Sequence, residues 1–236
     1  MKIIGNGFLA CGLKKVKLSK NSKNLIFYAA GVSNSNSKIN KDFIRDKALL
    51  KKNIINLNSK KILVYFSSLS VINNNLKNDK YVKNKLFIEK FIKKNVKNYL
   101  IIRLPQIIGK SSNPHTLTNF LYNKIKNREK FVLWNKASRY LIDIEDIVLI
   151  LQKILSKNYK INSTMNIANL KANTLLSIVK NFEKILSIKA LFKVKKSENK
   201  NVNIKKINPN RLENEKYYIK KNNKYYLNKI LSKYYE

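Results

Sequence analysis

Two segments decide the fold of this chain: KKILVYFSSLS at residues 60–70 and YVKNK at residues 81–85. The first has the apolar run of a buried strand and ends in hydroxyl side chains, among them Ser68. In the second, Tyr81 and Lys85 are four positions apart and therefore share one face of a helix. Open α/β sheets bind ligands at the carboxyl ends of their strands. The two segments together predict a pocket that contains a serine, a tyrosine and a lysine.

These three residue types are the ones that a hydride-transfer site needs. A tyrosine can exchange a proton with a substrate hydroxyl if a neighbouring ammonium group favours its phenolate form. A serine hydroxyl can hold the reacting oxygen and stabilise developing charge. Any one of the three alone would indicate little, so the prediction depends on their combination.

A glycine-rich turn follows the first predicted strand. Residues 5–10, GNGFLA, have the pattern G-x-G-x-x-A at a strand-to-helix junction. The glycines allow a tight turn and a close backbone approach, and the N–H groups at the start of the helix suit a pyrophosphate. Residues 24–30 predict the next strand, which ends in small residues that let a ligand lie close. An ordinary loop is the alternative there.

Strand and helix patterns alternate along the chain. Strands are predicted at residues 1–4, 24–30, within 60–70, and at 99–104, 139–143, 165–168 and 190–194. Helices are predicted at residues 41–57, 79–97, 117–125 and 144–155, and a further helix is predicted to run from a cap at Asn173 or Thr174 to about residue 186. A short helix is predicted at the end of a Lys/Asn-rich tail that contains Tyr217, Tyr218, Tyr225 and Tyr226. This alternation favours an α/β fold with a parallel, doubly wound sheet.

The chain is strongly basic. It has 236 residues, a formal net charge of +37 and 44% hydrophobic residues, which suffice for one sizeable domain with a small appendage. Only five of the 50 basic residues are arginine, and the lysines are spread along the chain. Lys, Asn and Ile have A/T-rich codons, so the bias is interpreted as genome composition. A specific nucleic-acid partner is not expected, although binding through the basic surface is an alternative.

The single cysteine, Cys11, excludes an internal disulfide and is typical of a reducing compartment. With one histidine, His115, no zinc site is expected. The first apolar run is too short for a signal peptide, and no stretch approaches the ~18 apolar residues of a membrane helix. The sequence therefore predicts a cytoplasmic protein with no membrane partner.

Several segments in order resemble the extended branch of the short-chain dehydrogenase/reductase superfamily, the NAD-dependent epimerase/dehydratase family that acts on nucleotide sugars. They are GNGFLA, FYAAGVS, VYFSSLSVI, YVKNK, RLPQIIG, RYLIDIEDIV and NIAN with the helix that follows, and they extend over nearly 190 residues. The resemblance implies a Rossmann-like sheet, shortened in its adenosine-binding half, and a small C-terminal α+β substrate subdomain. Residues 1–110 would form the dinucleotide-binding core. Residues 111–236 would return partly to that core and form the substrate-binding or lid subdomain.

The resemblance also implies roles for individual residues. Ser68 resembles the catalytic serine, four residues before the aromatic position that Ile72 fills here. Tyr81 resembles the acid/base, and Lys85 resembles its partner, which in the family also holds the nicotinamide ribose. The cofactor, NAD or NADP, is expected at Gly5, Asn6, Gly7, Phe8, Leu9, Ala29, Ala30, Gly31, Tyr81, Lys85 and Pro105. The substrate is expected at Ser33, Ser68, Gln106 and Arg139. The structural alternatives are a turn residue for Ser68 and a surface ion pair for Arg139.

The chain departs from the family pattern between the glycine turn and the FYAAGVS strand. Only about twenty residues lie there, where relatives fit two more strands and the residue that grips the adenosine ribose. No residue that would distinguish NAD from NADP is visible.

The resemblance implies an NAD(P)-dependent epimerase or ketoreductase that acts on a nucleotide-linked sugar, in surface polysaccharide biosynthesis. Only Asp79 and Glu89 supply carboxylates near the motif, which favours reduction or epimerisation over dehydration. The alternative is a non-catalytic dinucleotide-binding sensor or scaffold on the same fold. A homodimer through the helices near 41–57 and 79–97 is expected by analogy.

Overall fold

The structure is a computed structural model that describes residues 1–17, 24–35, 37, 39–55, 57–73, 76–156, 161–168, 172–196 and 223–236. The described chain divides into two compact units, Met1–Leu104 with Glu145–Ile167, and Pro105–Ile144 with Ala168–Glu236. Tyr217 and Tyr218 of the predicted tail lie outside the described residues. Strands and helices are numbered along the chain.

The first unit is built on a five-stranded parallel sheet. Its strands are β1 (Lys2–Ile4), β2 (Leu25–Tyr28), β3 (Ile62–Ser68), β4 (Tyr99–Leu104) and β9 (Ser163–Asn166), in the spatial order β1-β2-β3-β4-β9. Its helices are α1 (Phe8–Leu13), α2 (Asn40–Ile54), α3 (Lys80–Asn95) and α5 (Ile144–Leu155). Successive parallel strands are joined by helices, so the predicted α/β, Rossmann-like sheet is confirmed.

Both faces of this sheet are buried, as a parallel sheet requires. On one face, Leu63 and Tyr65 of β3 pack with Leu50 of α2 and with Ile88 and Ile92 of α3. The alternate residues of the central strands point to the other face. Those residues are also buried; they include Phe27, Val64, Phe66, Leu100 and Ile102. The helix that carries Tyr81 and Lys85 is therefore fixed to the strand that ends in Ser68.

A buried ion pair sets the position of α3 on the sheet. Glu89 is 2% exposed and lies one helical turn after Lys85. Its Oε1 accepts hydrogen bonds from the Ser67 hydroxyl (2.6 Å) and from Arg103 Nε (2.9 Å), and its Oε2 accepts one from Arg103 Nη2. Ser67 is in β3 and Arg103 is in β4, so one carboxylate connects α3 to both strands.

In the described part of the second unit there are nine further elements. These are β5 (Gln106–Ile108), α4 (Leu117–Lys126), β6 (Phe131–Trp134), β7 (Ser138–Arg139), β8 (Leu141–Asp143), β10 (Asn173–Thr174), α6 (Leu175–Leu186), β11 (Phe192–Lys195) and α7 (Asn223–Tyr235). Strands β5 and β8 pair in parallel, as do β6 and β11, whereas β7 and β10 are antiparallel. Thr174 accepts a hydrogen bond from the backbone N–H of Ser177, so the predicted cap of α6 is confirmed.

Helix α7 closes the core of the second unit. Its residues Tyr226, Leu227, Ile230 and Leu231 are buried among side chains of α4, α6 and β6. Asp143 receives three contacts from this helix: its N–H donates to the Tyr226 hydroxyl, and its carboxylate pairs with Lys233 and accepts from the Tyr234 hydroxyl. Helix α7 is therefore part of this unit's core.

The structure corrects one predicted element and adds a strand that was not predicted. The strand predicted at 139–143 is interrupted at Tyr140, because its first part pairs with β10 and its second part pairs with β5. Strand β6 was not predicted. Its alternating buried and exposed residues are a strand signal, but only four residues show it. No helix among the described residues is long and apolar enough to cross a membrane.

We predict that Arg103→Met destabilises the first unit by about 3–5 kcal/mol, because the variant leaves the buried Glu89 carboxylate without its cation. The matched control is Arg45→Met in α2. Arg45 forms an exposed pair with Asp42 at 4.0 Å, and its loss should cost less than about 1 kcal/mol. Urea unfolding measures both free energies, and equal losses would contradict the structural role of the Glu89 pair.

Candidate active site

The glycine turn lies directly against the end of β2. Gly5 has a φ of +122°, which only glycine adopts readily, and a Cβ on Gly5 would lie 2.6 Å from the carbonyl oxygen of Ala29. A Cβ on Gly7, in contrast, would meet no atom within 4 Å. Gly5 is therefore required by the fold, and Gly7 keeps one side of the turn open.

The glycine turn and the end of β2 form one strip of backbone, which extends from Gly5 and Ala29 through Ala30 to Gly31. At Gly31 this strip reaches Lys85. A Cβ on Gly31 would lie 2.9 Å from Lys85 Nζ and 3.6 Å from Asp46 Oδ2. The glycine thus leaves the space that the ammonium group occupies. Two predicted cofactor contacts that are 54 positions apart in the sequence, Gly31 and Lys85, are adjacent in the structure.

Lys85 is a buried cation, with 4% of the residue exposed. Its Nζ lies 5.6 Å from the centre of the Tyr81 ring and 5.3 Å from that of Tyr65. Burial disfavours the ammonium, but Tyr65, Tyr81 and Asp46 together outweigh it and raise the pKa of Lys85 above its ordinary value. The site therefore holds a permanent positive charge near neutral pH.

Two of the tyrosines near this charge are unsuited to proton exchange with a substrate. Tyr28 and Tyr65 are both 0% exposed. Burial raises the pKa of each hydroxyl well above its ordinary value, against the opposing effect of Lys85. Tyr81 is only half-buried, at the start of α3. Of these three tyrosines beside Lys85, Tyr81 is the one that a substrate can reach.

Ser68 is the last residue of β3 and caps a short 3-10 turn, Leu69–Ile72, that contacts α3. Its hydroxyl oxygen accepts a hydrogen bond from the backbone N–H of Ser70 (3.2 Å) and lies 2.7 Å from the Ser70 hydroxyl. The turn role considered for this residue is therefore observed. The residue is half-buried, and its predicted catalytic role stays a prediction.

The remaining predicted contacts divide between the units. Ser33 is exposed after β2 in the first unit. Pro105, Gln106 and Arg139 belong to the second unit. There the Gln106 N–H donates to the carbonyl of Tyr140, the neighbour of Arg139, so these two predicted substrate contacts are close together. Arg139 Nη1 donates to the carbonyl of Ser138, and no ion pair of Arg139 is found within the described residues.

Two residues of the site were not predicted. Asp46 is 2% exposed; its Oδ2 accepts hydrogen bonds from Asn84 Nδ2 (2.9 Å) and from the Val32 N–H (3.4 Å). Tyr65 lies in the middle of an apolar strand. Asp46 is in an amphipathic helix where most other charged residues are exposed, so the sequence carries no signal that separates it from a surface carboxylate.

The described residues offer more contacts for the pyrophosphate and nicotinamide part of a dinucleotide than for its adenosine part. The open side of Gly7 and the strip from Ala29 to Lys85 offer backbone and a cation along one edge of the sheet. β1 is the outermost strand of the described sheet, and only residues 14–24 connect α1 to β2. Within the described part of the chain, no strand supports an adenosine beyond β1.

Comparison with known proteins finds the same fold in several solved structures. No protein-family model matches the chain, and no curated protein matches it by sequence. Solved structures do match. The chain resembles RMD from Pseudomonas aeruginosa, solved with NADPH, with a TM-score of 0.68, 14% identity, and coverage of 99% of this chain and 96% of that one.

Two other solved structures show the same fold. MoeE5, in complex with UDP-glucuronic acid and NAD, matches with a TM-score of 0.64 and 14% identity over 76% of this chain and 68% of that one. The dTDP-glucose 4,6-dehydratase of Bacillus anthracis, in complex with NAD, matches with a TM-score of 0.65 and 13% identity over 88% and 71%. The resemblance predicted from the sequence is thus confirmed in the fold.

The two turn glycines give a matched pair for testing this site. Gly5→Ala should lower the free energy of unfolding by roughly 1–3 kcal/mol from backbone strain alone, since it places a Cβ at a positive φ. Gly7→Ala should leave stability nearly unchanged but reduce dinucleotide binding at least tenfold, because its methyl group fills the open side of the turn. Urea unfolding and titration with NAD(H) and NADP(H) measure the two effects. Unchanged binding in folded Gly7→Ala would exclude the turn as a cofactor contact.

Proposed function

We propose that this protein is an NAD(P)-dependent epimerase or ketoreductase that acts on a nucleotide-linked sugar, in surface polysaccharide biosynthesis. The observation that carries the proposal is the continuous strip from the glycine turn through Ala29 and Gly31 to the buried Lys85 beside the accessible Tyr81. Several structures that share this fold were solved with NAD or NADPH, and some of these also with nucleotide sugars. These neighbours support the same kind of ligands for this chain.

Each residue of the strip has a role set by its chemistry. Tyr81 takes a proton from, or gives one to, the sugar hydroxyl at the carbon that is oxidised or reduced. Lys85 Nζ lies 5.6 Å from the centre of the Tyr81 ring, so the lysine places a cation next to the residue that exchanges the proton. Ser68 holds the reacting oxygen. A bound nicotinamide cofactor supplies the hydride chemistry, and the protein supplies orientation and charge.

The cofactor is proposed to contact the glycine turn with its pyrophosphate and Lys85 with its ribose. Helix α1 has only six residues, so its dipole contributes little and the turn's own N–H groups have to provide most of the anion contacts. Gln106 and Arg139 are proposed to hold the substrate, because an amide and a guanidinium group suit sugar hydroxyls and a diphosphate.

A second candidate function is a dinucleotide-binding sensor or scaffold without turnover. It is favoured by the position of β1 as the outermost described strand and by Ile72, which stands where the family has an aromatic residue. Mass spectrometry of ligands extracted from purified protein, followed by turnover assays with UDP- and dTDP-sugars, separates the two. Bound NAD(P) without turnover of any sugar nucleotide would favour the sensor.

We also propose a homodimer through α2 and α3. Ile44 and Phe87 on these helices are 66% and 41% exposed, whereas the lysines around them would repel a second copy. Association should therefore strengthen as salt screens the like charges. Sedimentation velocity at 50 mM and 500 mM NaCl tests this. Phe87→Glu is expected to weaken the dimer, and Tyr225→Glu, at a position of α7 that is 72% exposed, is the control. A monomer at both salt concentrations would contradict the proposal.

Tyr81→Phe should lower turnover at least a thousandfold while leaving stability and cofactor binding nearly unchanged, because it removes only the proton-exchanging hydroxyl. Lys85→Ala should weaken both cofactor binding and turnover, since the lysine is proposed to serve both. Steady-state kinetics and cofactor titration measure these effects.

The control is Tyr225→Phe, at a tyrosine that is 72% exposed in the second unit. It should retain full activity. Full activity in Tyr81→Phe would remove Tyr81 from the mechanism, and unchanged kinetics in Lys85→Ala would remove the lysine.

A further inference from the structure

A buried carboxylate lies beside the buried lysine of the site. Asp46 is 2% exposed and Lys85 is 4% exposed, and both approach the same point on Gly31. Within the described residues the two side chains form no ion pair at 4.0 Å or less. Asp46 Oδ1 is buried and has no hydrogen-bond partner within that part of the chain, whereas Oδ2 accepts from Asn84 and Val32.

We infer that Asp46 is a positioning residue for Lys85: its buried charge keeps the ammonium group protonated and directed toward Gly31 and Tyr81. This inference rests on the proposed function for its catalytic meaning, but its structural part stands on the geometry alone. Asp46 reaches the site from α2, whereas Lys85 reaches it from α3. The coulombic interaction between Asp46 and Lys85 therefore connects two helices of the first unit.

We expect Asp46 to stabilise the Lys85 ammonium through its charge rather than through its size. Burial of an unpaired ammonium is costly, and the groups that face Lys85 are Tyr28 from β2, Tyr65 from β3, Tyr81 from α3 and Asp46 from α2. The two strand tyrosines are neutral near pH 7, because burial raises the pKa of each. Among these facing groups, Asp46 is the one carboxylic acid, and it favours the ammonium form of Lys85.

Gly31 has no side chain, and the Lys85 ammonium group occupies the space that a side chain would fill. A methyl group on Gly31 would lie 2.9 Å from Lys85 Nζ, closer than ordinary contact. Gly31→Ala should displace Lys85 while leaving Asp46 in place. The two variants Asp46→Asn and Gly31→Ala thus change the charge and the position of the lysine separately.

The test is the side-chain ¹⁵Nζ NMR signal of Lys85, assigned by its loss in Lys85→Arg. A buried ammonium exchanges its protons slowly, so its signal stands out from those of exposed lysines. Wild type should keep this signal up to pH 10.5, the ordinary lysine pKa. Asp46→Asn should lose it at least one pH unit lower, about a tenfold change in the protonation equilibrium. Asp46→Glu should restore it, and Asp42→Asn, in the same helix at a half-exposed position, should match wild type.

The second measurement is kcat and its pH profile, which test the catalytic meaning of Asp46 independently of the Lys85 NMR signal. In an active enzyme, Asp46→Asn should lower kcat at least tenfold and change its pH profile, while Asp42→Asn changes neither. If wild type turns over no nucleotide sugar, the proposed function fails, but the NMR comparison still decides the inference. A Lys85 signal that persists to the same pH in Asp46→Asn overturns it. If Asp46→Asn does not fold, an unchanged Lys85 signal and unchanged activity in Gly31→Ala overturn it instead.

Discussion

The candidate site depends on the burial of one ammonium group. Lys85 is in α3 and lies beside Tyr65 of β3, and four of its neighbours come from four different elements. A charge is costly in such a place unless opposite charge and polar groups surround it. The surrounding structure therefore has to be built to hold it: a glycine beside it, a carboxylate near it, and a helix fixed by the Glu89 ion pair one turn later. With 4% of the residue exposed, Lys85 differs from the many lysines on the surface of this chain.

The parts of the fold that local patterns determine could be predicted from the sequence. The apolar run of β3 and the spacing of Tyr81 and Lys85 each depend on periodicity within a short segment. So does the capped start of α6. Gly5 was predictable for the same reason, since a glycine between a strand and a helix marks a turn that other residues cannot form.

The unpredicted parts depend on contacts between distant segments. Asp46 is 39 positions from Lys85, and nothing in its own helix distinguishes a buried carboxylate from an exposed one. Strand β6 has only four residues, and its partner β11 lies about sixty positions later, so local propensity could not indicate it. Tyr140 interrupts a predicted strand because the chain on its two sides pairs with different partners, which is a property of the tertiary structure alone.

The contacts of Asp143 bear on the order in which the chain acquires structure during synthesis. This residue contacts Tyr226, Lys233 and Tyr234 of α7, across sequence separations of 83 to 91 residues. Translation adds about 5–20 residues per second, so the apolar side chains that α7 covers stay open for several seconds on the ribosome. Such long-range closure is also slow once the chain is released. The nascent polypeptide is therefore most exposed to chaperones and proteases in that interval, and the many lysines around the uncovered core help to keep it in solution.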